Sequence, residues 1–364
     1  MQCSACHTEI AASFSQTGMG RSVAPIGSPL NQARWALETP FRHERSRREY
    51  QPLVREGRYF LQRFQTSESG ERVNQLEREA HWVVGSGSHA QTFLHRNPNG
   101  DWMELPLSWY SAQGGYWAMS PGYDQPRHAG FRRKIDSQCI FCHAAYPAAD
   151  EPGSLRPINC QRCHGPGAGH VEAVAAAGKK APAGLEIVNP ARLPPDRALE
   201  VCLQCHLQPT SRPLPFAIRR FDREPFSFQP GERLGDYALY FDHPEGAAQH
   251  EKFEVNGAGY RFLLSACFRF SGAEALQCVT CHDPHGDADR ETFDQRVRTV
   301  CRTCHAAELE RRAHGGDCIR CHMPKRRTED AVHVVMTDHK IPRSPAGADP
   351  DARIDELAAA EASR

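Results

Sequence analysis

The sequence predicts a mainly α and irregular fold with one small antiparallel β region, within about residues 48–110. Three observations predict it. Fourteen of the fifteen cysteines and seven of the nineteen histidines recur in one short motif that suits a single helical turn. Gly (28) and Pro (27) are frequent enough to break the chain into short elements. Only one stretch carries strand-like runs separated by turn residues. Among 364 residues, apolar types make up 40%, and no run approaches eighteen apolar residues, so no membrane-spanning helix is expected. Lys+Arg and Asp+Glu balance at 44 each, which argues against nucleic-acid or polybasic membrane binding.

Fourteen of the cysteines form seven copies of C-x-x-C, each followed directly by His. They are Cys3, Cys6 and His7; Cys139, Cys142 and His143; Cys160, Cys163 and His164; Cys202, Cys205 and His206; Cys278, Cys281 and His282; Cys301, Cys304 and His305; and Cys318, Cys321 and His322. Cys267 is left over. C-x-x-C-H is the attachment motif of c-type haem. Residues i, i+3 and i+4 share one helix face, so two thiols reach the two vinyl groups of one porphyrin and the His meets its iron. Structural zinc is the competing reading. Zinc sites usually pair two C-x-x-C units, seven is odd, and zinc gives no reason for a His after every second Cys. A redox disulfide motif would not recur seven times. The expected cofactor is therefore seven covalently bound haem c. Their apolar faces would supply the core that the chain lacks, a haem-packed fold.

Four segments are expected: residues 1–47 with haem 1, 48–138 without a motif, 139–340 with haems 2 to 7, and a tail at 341–364. In the second, Glu56-Gly57 and Asn99-Gly100 each separate two strand-like runs, a hairpin signal. In the third, residues 168–179, 195–206 and 292–313 read as helices. The tail from Asp349 also reads as helical.

Twelve histidines lie outside the motifs, enough to give every iron a second axial ligand. A lone His is more often a surface or packing residue. His170, His285 and His314 stand beside motifs and are the favoured distal candidates. His333, His339, His43, His89 and His128 complete the candidate set. His81 and His95 are balanced between ligand and packing; His243 and His250 read as solvent or packing residues. Met19 and Cys267 read as packing side chains.

The chain resembles bacterial multihaem c-type cytochromes related to the tetrahaem cytochrome of ammonia oxidisers and to hydroxylamine oxidoreductase, often fused to tetratricopeptide repeats. The stretches that carry the resemblance include HWVVGSGSHAQTFLHR, ELPLSWYSAQGGYWAMSPGYD, CQRCHGPGAGH, CVTCHDPHG, CIRCHMP and TDHKI. The resemblance implies electron transfer, with other redox proteins or cytochromes as partners. Two alternatives stand beside it. One is a redox enzyme acting on a nitrogen or sulfur compound at a five-coordinate haem, with Tyr110, Tyr116, Arg127 and His128 as candidate groups. The other is a subunit of an extracellular cytochrome filament. Haem c is attached outside the cytoplasm, so a periplasmic or extracellular site is expected. Cys3 follows Met1-Gln2 directly, which reads as a mature or trimmed form.

Overall fold

The computed structural model describes residues 2–33, 35–148, 153–178, 186–209, 215–244, 246–247, 252–286, 290–311 and 318–342. The chain divides into two compact units. One comprises residues 17–159 and 331–334; the other comprises 1–16, 160–330 and 335–364.

The 17–159 unit is a β structure. Among the described residues, ten strands run from β1 (Val23–Pro25) through β2 (Phe41–His43), β3 (Arg48–Arg55), β4 (Arg58–Thr66), β5 (Arg72–Ala80), β6 (Trp82–Val84), β7 (Ala90–Arg96), β8 (Trp102–Glu104) and β9 (Leu107–Tyr110) to β10 (Tyr116–Met119). They form a four-stranded sheet, β2-β3-β4-β5, and a six-stranded sheet, β1-β6-β7-β9-β10 with β8 on β7. Every pairing is antiparallel. Both expected hairpins form. Glu56 and Gly57 join β3 to β4 with φ of 51° and 73°, the left-handed pair that matches the twist of a two-residue hairpin. Asn97–Asp101 closes β7 onto β8, with the Gly100 amide donating to the Asn97 carbonyl.

Side chains from both sheets share one core: Tyr50, Leu61 and Ala80 from the first, Val83, Phe93, Leu107 and Trp117 from the second. Trp35 sits among them with edge-on contacts to Phe93 and Trp117 at 4.8 and 5.4 Å.

The other unit is built from short helices: Thr8–Phe14, Gln161–His164, Ala168–Ala177, Pro195–His206, Leu234–Tyr237, Ala258–Leu263, Ala266–Ala275, Cys278–Cys281, Arg290–Arg311 and Cys318–His322. Two ribbons accompany them, β11 (Ala217–Arg219) with β12 (Ala238–Tyr240), and β13 (Lys325–Arg327) with β14 (Val335–Thr337). The helices expected over 168–179 and 195–206 are there. The one over 292–313 is described as Arg290–Arg311, with non-helical backbone at His305. The tail from Asp349 lies outside the described residues.

The fold class needs correction. The structure is 33% helical and about 22% strand, with several antiparallel sheets, so it is not mainly α. The β region also exceeds 48–110, reaching from Val23 to Met119. β1, β2, β6 and β8 have three residues each, too few for an alternating pattern to be read. Their strand character comes from partners far along the chain, as in Val23 opposite Val84.

Candidate functional site

Each of the seven C-x-x-C-H segments is a helical turn. The His amide donates to the carbonyl of the first Cys at 2.9 Å in His7–Cys3, His164–Cys160 and His282–Cys278. The turn at Cys139 belongs to helix Ser137–His143, whose N-terminus is capped by Asp136 Oδ1 accepting from the Gln138 and Cys139 amides. The turns at Cys202, Cys301 and Cys318 lie in helices Pro195–His206, Arg290–Arg311 and Cys318–His322. All fifteen cysteines are thiols without a disulfide. Burial is the main cause that pushes Cys139, Cys163 and Cys301 up to about 11.

The residues between the cysteines anchor the turns. Ile140 packs on the cluster of Val23, Leu94, Trp102 and Leu155. In the helical unit, Gln204 Nε2 donates to the Arg162 carbonyl at 3.1 Å, stitching the fourth turn to the third. The thiols extend this contact into an order. Cys3 hydrogen-bonds Cys160, and Cys202 hydrogen-bonds Cys278. Cys163 lies within electrostatic reach of Cys205, and Cys301 of both Cys281 and Cys318. The motifs of this unit therefore neighbour one another in the order 1, 3, 4, 5, 6, 7. Cys267 sits near Cys281, Cys301 and Cys304. The second motif belongs to the β unit, where Cys139 feels the charges of Asp136 and Glu104.

Two ring pairs involve motif histidines. His164 and His285 lie parallel, centroids 5.8 Å apart at 8°. His282 and His339 are 6.1 Å apart at 29°. His206 lies within electrostatic reach of His282 and of His339. Nδ1–H of His164 donates to the Val188 carbonyl at 2.8 Å, that of His322 to the Pro342 carbonyl at 2.8 Å, and that of His339 to the Thr337 carbonyl at 3.0 Å.

Residues 272–310, which hold the fifth and sixth motifs, match the family model for the doubled CXXCH motif. No curated protein sequence matches the chain. Among solved structures, the chain is similar to the outer cell wall cytochrome OcwA, with a TM-score of 0.54 and 17% identity over 93% of this chain and 78% of that one. The fold is thus similar to that of a solved cytochrome, and one stretch carries the doubled CXXCH motif.

The residues of the seven turns fit haem c. Paired thiols and a His share each turn, and the three Nδ1–H bonds to carbonyls fix a tautomer in which Nε2 keeps its lone pair for a metal. The chain's own thiols would carry the porphyrin and the seven motif imidazoles would meet the irons.

The remaining candidate ligands divide by surroundings. His170 is half-buried on helix Ala168–Ala177, and His89 is exposed. His314 lies outside the described residues. In the β unit, His43 and His128 are buried with centroids 5.7 Å apart, and Ser46 Oγ lies 2.8 Å from His43 Nδ1. His128 uses both ring nitrogens: Nδ1 accepts from the Gly130 amide at 3.1 Å, and Nε2 lies 3.0 Å from Tyr50 Oη. Burial, followed by the Arg48 charge, pushes His128 down to about 4. His333 packs on Tyr110 and Tyr116, with Nε2 3.5 Å from Asp124. His81 and His95, whose rings are 5.3 Å apart, line a cavity of about 730 Å³ with Glu79, Arg96 and Arg132.

Sequence reasoning passed over the groups around His339. Asp338 accepts from both Arg261 and Arg326 in a buried cluster. Burial alone would raise its carboxyl, and the Arg261 hydrogen bonds and charge reverse this, holding it at about 2. The adjacency of Asp338 and His339 was readable, but Arg261 is distant in sequence and gave no local signal.

Proposed function

We propose that the chain is a seven-haem, electron-transfer c-type cytochrome with mostly bis-His irons. The observation that carries this reading is the interleaving of the motif cysteines, which brings six motifs of one unit into a continuous row. Haem supplies a one-electron iron couple at each motif. The protein's part is to hold those couples close and to fix their axial ligands.

The ring pairs support the ligand reading. Two imidazoles on opposite sides of one ion, each nitrogen about 2 Å from it, have centroids roughly 6 Å apart. His164 with His285, and His282 with His339, have this spacing. His285 then belongs by sequence to the fifth motif and by ligation to the third, tying the two together. His170, His43, His89, His128, His314 and His333 remain candidates for other irons.

Partners would be other redox proteins. A site outside the cytoplasm is part of the proposal, supported by the need for haem attachment there and by likeness to an outer cell wall cytochrome. No described helix is long and apolar enough to cross a membrane.

The test is threefold. Intact mass should show seven haems, and six after paired replacement of Cys202 and Cys205 by Ala. Electron paramagnetic resonance of the ferric protein should be dominated by low-spin signals. Voltammetry should show reversible waves without added substrate. A strong high-spin signal together with turnover of a nitrogen or sulfur compound would establish the enzyme reading instead. Filaments in electron micrographs would establish the assembly reading.

A further inference from the structure

We propose that the cluster of buried Arg261 and Asp338 with half-buried Arg326 is a positioning device that holds His339 as second axial ligand of the iron bound through His282. The inference rests on the bis-His reading above and adds the residues that make one ligand site rigid.

Asp338 directly precedes His339. Its side chain is 6% exposed and that of Arg261 only 2%. The pairing is forked: Arg261 Nε donates to Oδ1 at 2.9 Å and Nη2 to Oδ2 at 2.7 Å. Arg326 Nη1 adds a third bond to Oδ2 at 2.9 Å. Such a fork fixes orientation as well as distance. The backbone is tied on both sides of the ligand: the Asp338 amide donates to the Pro324 carbonyl, and the Lys340 amide to Asp338 Oδ1, each at 2.9 Å. The ribbon of β13 and β14 sets Arg326 opposite Met336, on the strand that leads into Asp338. Phe253, itself buried, lies beneath both guanidinium groups at 6.0 and 4.9 Å.

An ion cluster this deep is a poor source of stability. Desolvation offsets most of its Coulomb gain, and apolar residues of similar volume would serve as well. What the charges supply is a single geometry for the segment that presents His339, whose ring is fixed further by the Nδ1–H bond to Thr337. Two cations against one carboxylate also leave a positive charge beside the ligand, which favours the reduced iron.

The experiment uses the complete haem-loaded protein and reads spin state and potential. His339→Ala tests the underlying reading: one haem should turn high-spin. Asp338→Asn keeps the size of the side chain and removes its charge. It should give a partial high-spin fraction, returned to low-spin by added imidazole. The double variant should show no more high-spin haem than His339→Ala alone. Arg326→Gln, at a half-buried position, is the milder variant; it should lower the potential of one haem. If His339→Ala opens an iron but Asp338→Asn stays low-spin with unchanged potentials, the positioning role is overturned and the ligand stands. If His339→Ala leaves every iron low-spin, the ligand assignment is overturned and this role with it. Should Asp338→Asn not accumulate, an Arg326→Gln protein with wild-type spectrum and potentials overturns the positioning role.

Discussion

The imidazole rings of His164 and His285 lie nearly parallel, at 8°, with centroids 5.8 Å apart. His164 is oriented by its Nδ1–H bond to the Val188 carbonyl. His285 is carried by the short segment after Cys281, where its amide donates to Asp283 Oδ1 at 3.0 Å beside the fixed φ of Pro284. Two separate local structures therefore set one ring pair.

Replacing His285 by Ala should open the iron held through His164. The resting protein should gain a high-spin signal from one haem of seven, its potential should rise, and the rest should barely change. Ferric spectra before and after adding imidazole check this. An unaltered spin-state spectrum would make the ring pair a packing contact.

The two units should depend on haem unequally. The β unit has its own core of Trp35, Tyr50, Phe93, Leu105 and Trp117. In the helical unit the motif turns are short and their cysteines are half-buried or exposed. Chain produced without haem attachment should keep slow amide exchange in β3, β4 and β7 and lose it in helix Pro195–His206. Hydrogen exchange by mass spectrometry reads both regions in one sample. Equal protection in the two would contradict this division.

Gly259 marks a close crossing of helices Ala258–Leu263 and Pro195–His206. A Cβ there would stand 2.7 Å from both the His206 carbonyl oxygen and Leu203 Cδ2. Backbone cannot yield as a flexible side chain would. Gly259→Ala should cost about 1–3 kcal/mol by overpacking. Denaturant midpoints of the haem-loaded proteins measure it, and no loss would mean the crossing adjusts freely.

The carboxyl of Asp330 should impose a pH dependence on stability. Burial first, then the Glu254 charge, pushes Asp330 from 3.8 up to about 7, against the Val255 amide that donates to Oδ1 at 2.8 Å. The folded state thus keeps a proton that the unfolded chain has already released. The stabilisation is complete below about pH 4 and is lost as pH rises to about 7. Asp330→Asn should flatten that slope. Urea midpoints between pH 4 and 8 decide it: equal slopes in the two proteins would dispose of the retained proton on Asp330.

The chemistry of the chain is legible in one dimension because C-x-x-C-H completes itself within one turn. Hydrogen bonds from His7 to Cys3 and from His164 to Cys160 need nothing beyond local helix geometry. The same holds for the Glu56-Gly57 hairpin and for helix Pro195–His206, whose turn and boundary residues are their own instructions. The three-residue strands are different. β1 is a strand because Val84 lies across from Val23, and no periodicity within VAP could announce it.

By itself, then, the sequence determined how many C-x-x-C-H motifs exist, which His closes each, and where the longest local elements begin. Only the tertiary structure decided that the first motif adjoins the third, that His285 faces His164, and that Arg261 reaches Asp338 beside His339. The physical reason is range. Helical turns and tight hairpins are fixed by bonds between residues a few positions apart, whereas motif order, ring pairs and buried ion clusters come from packing between segments that sequence spacing does not relate.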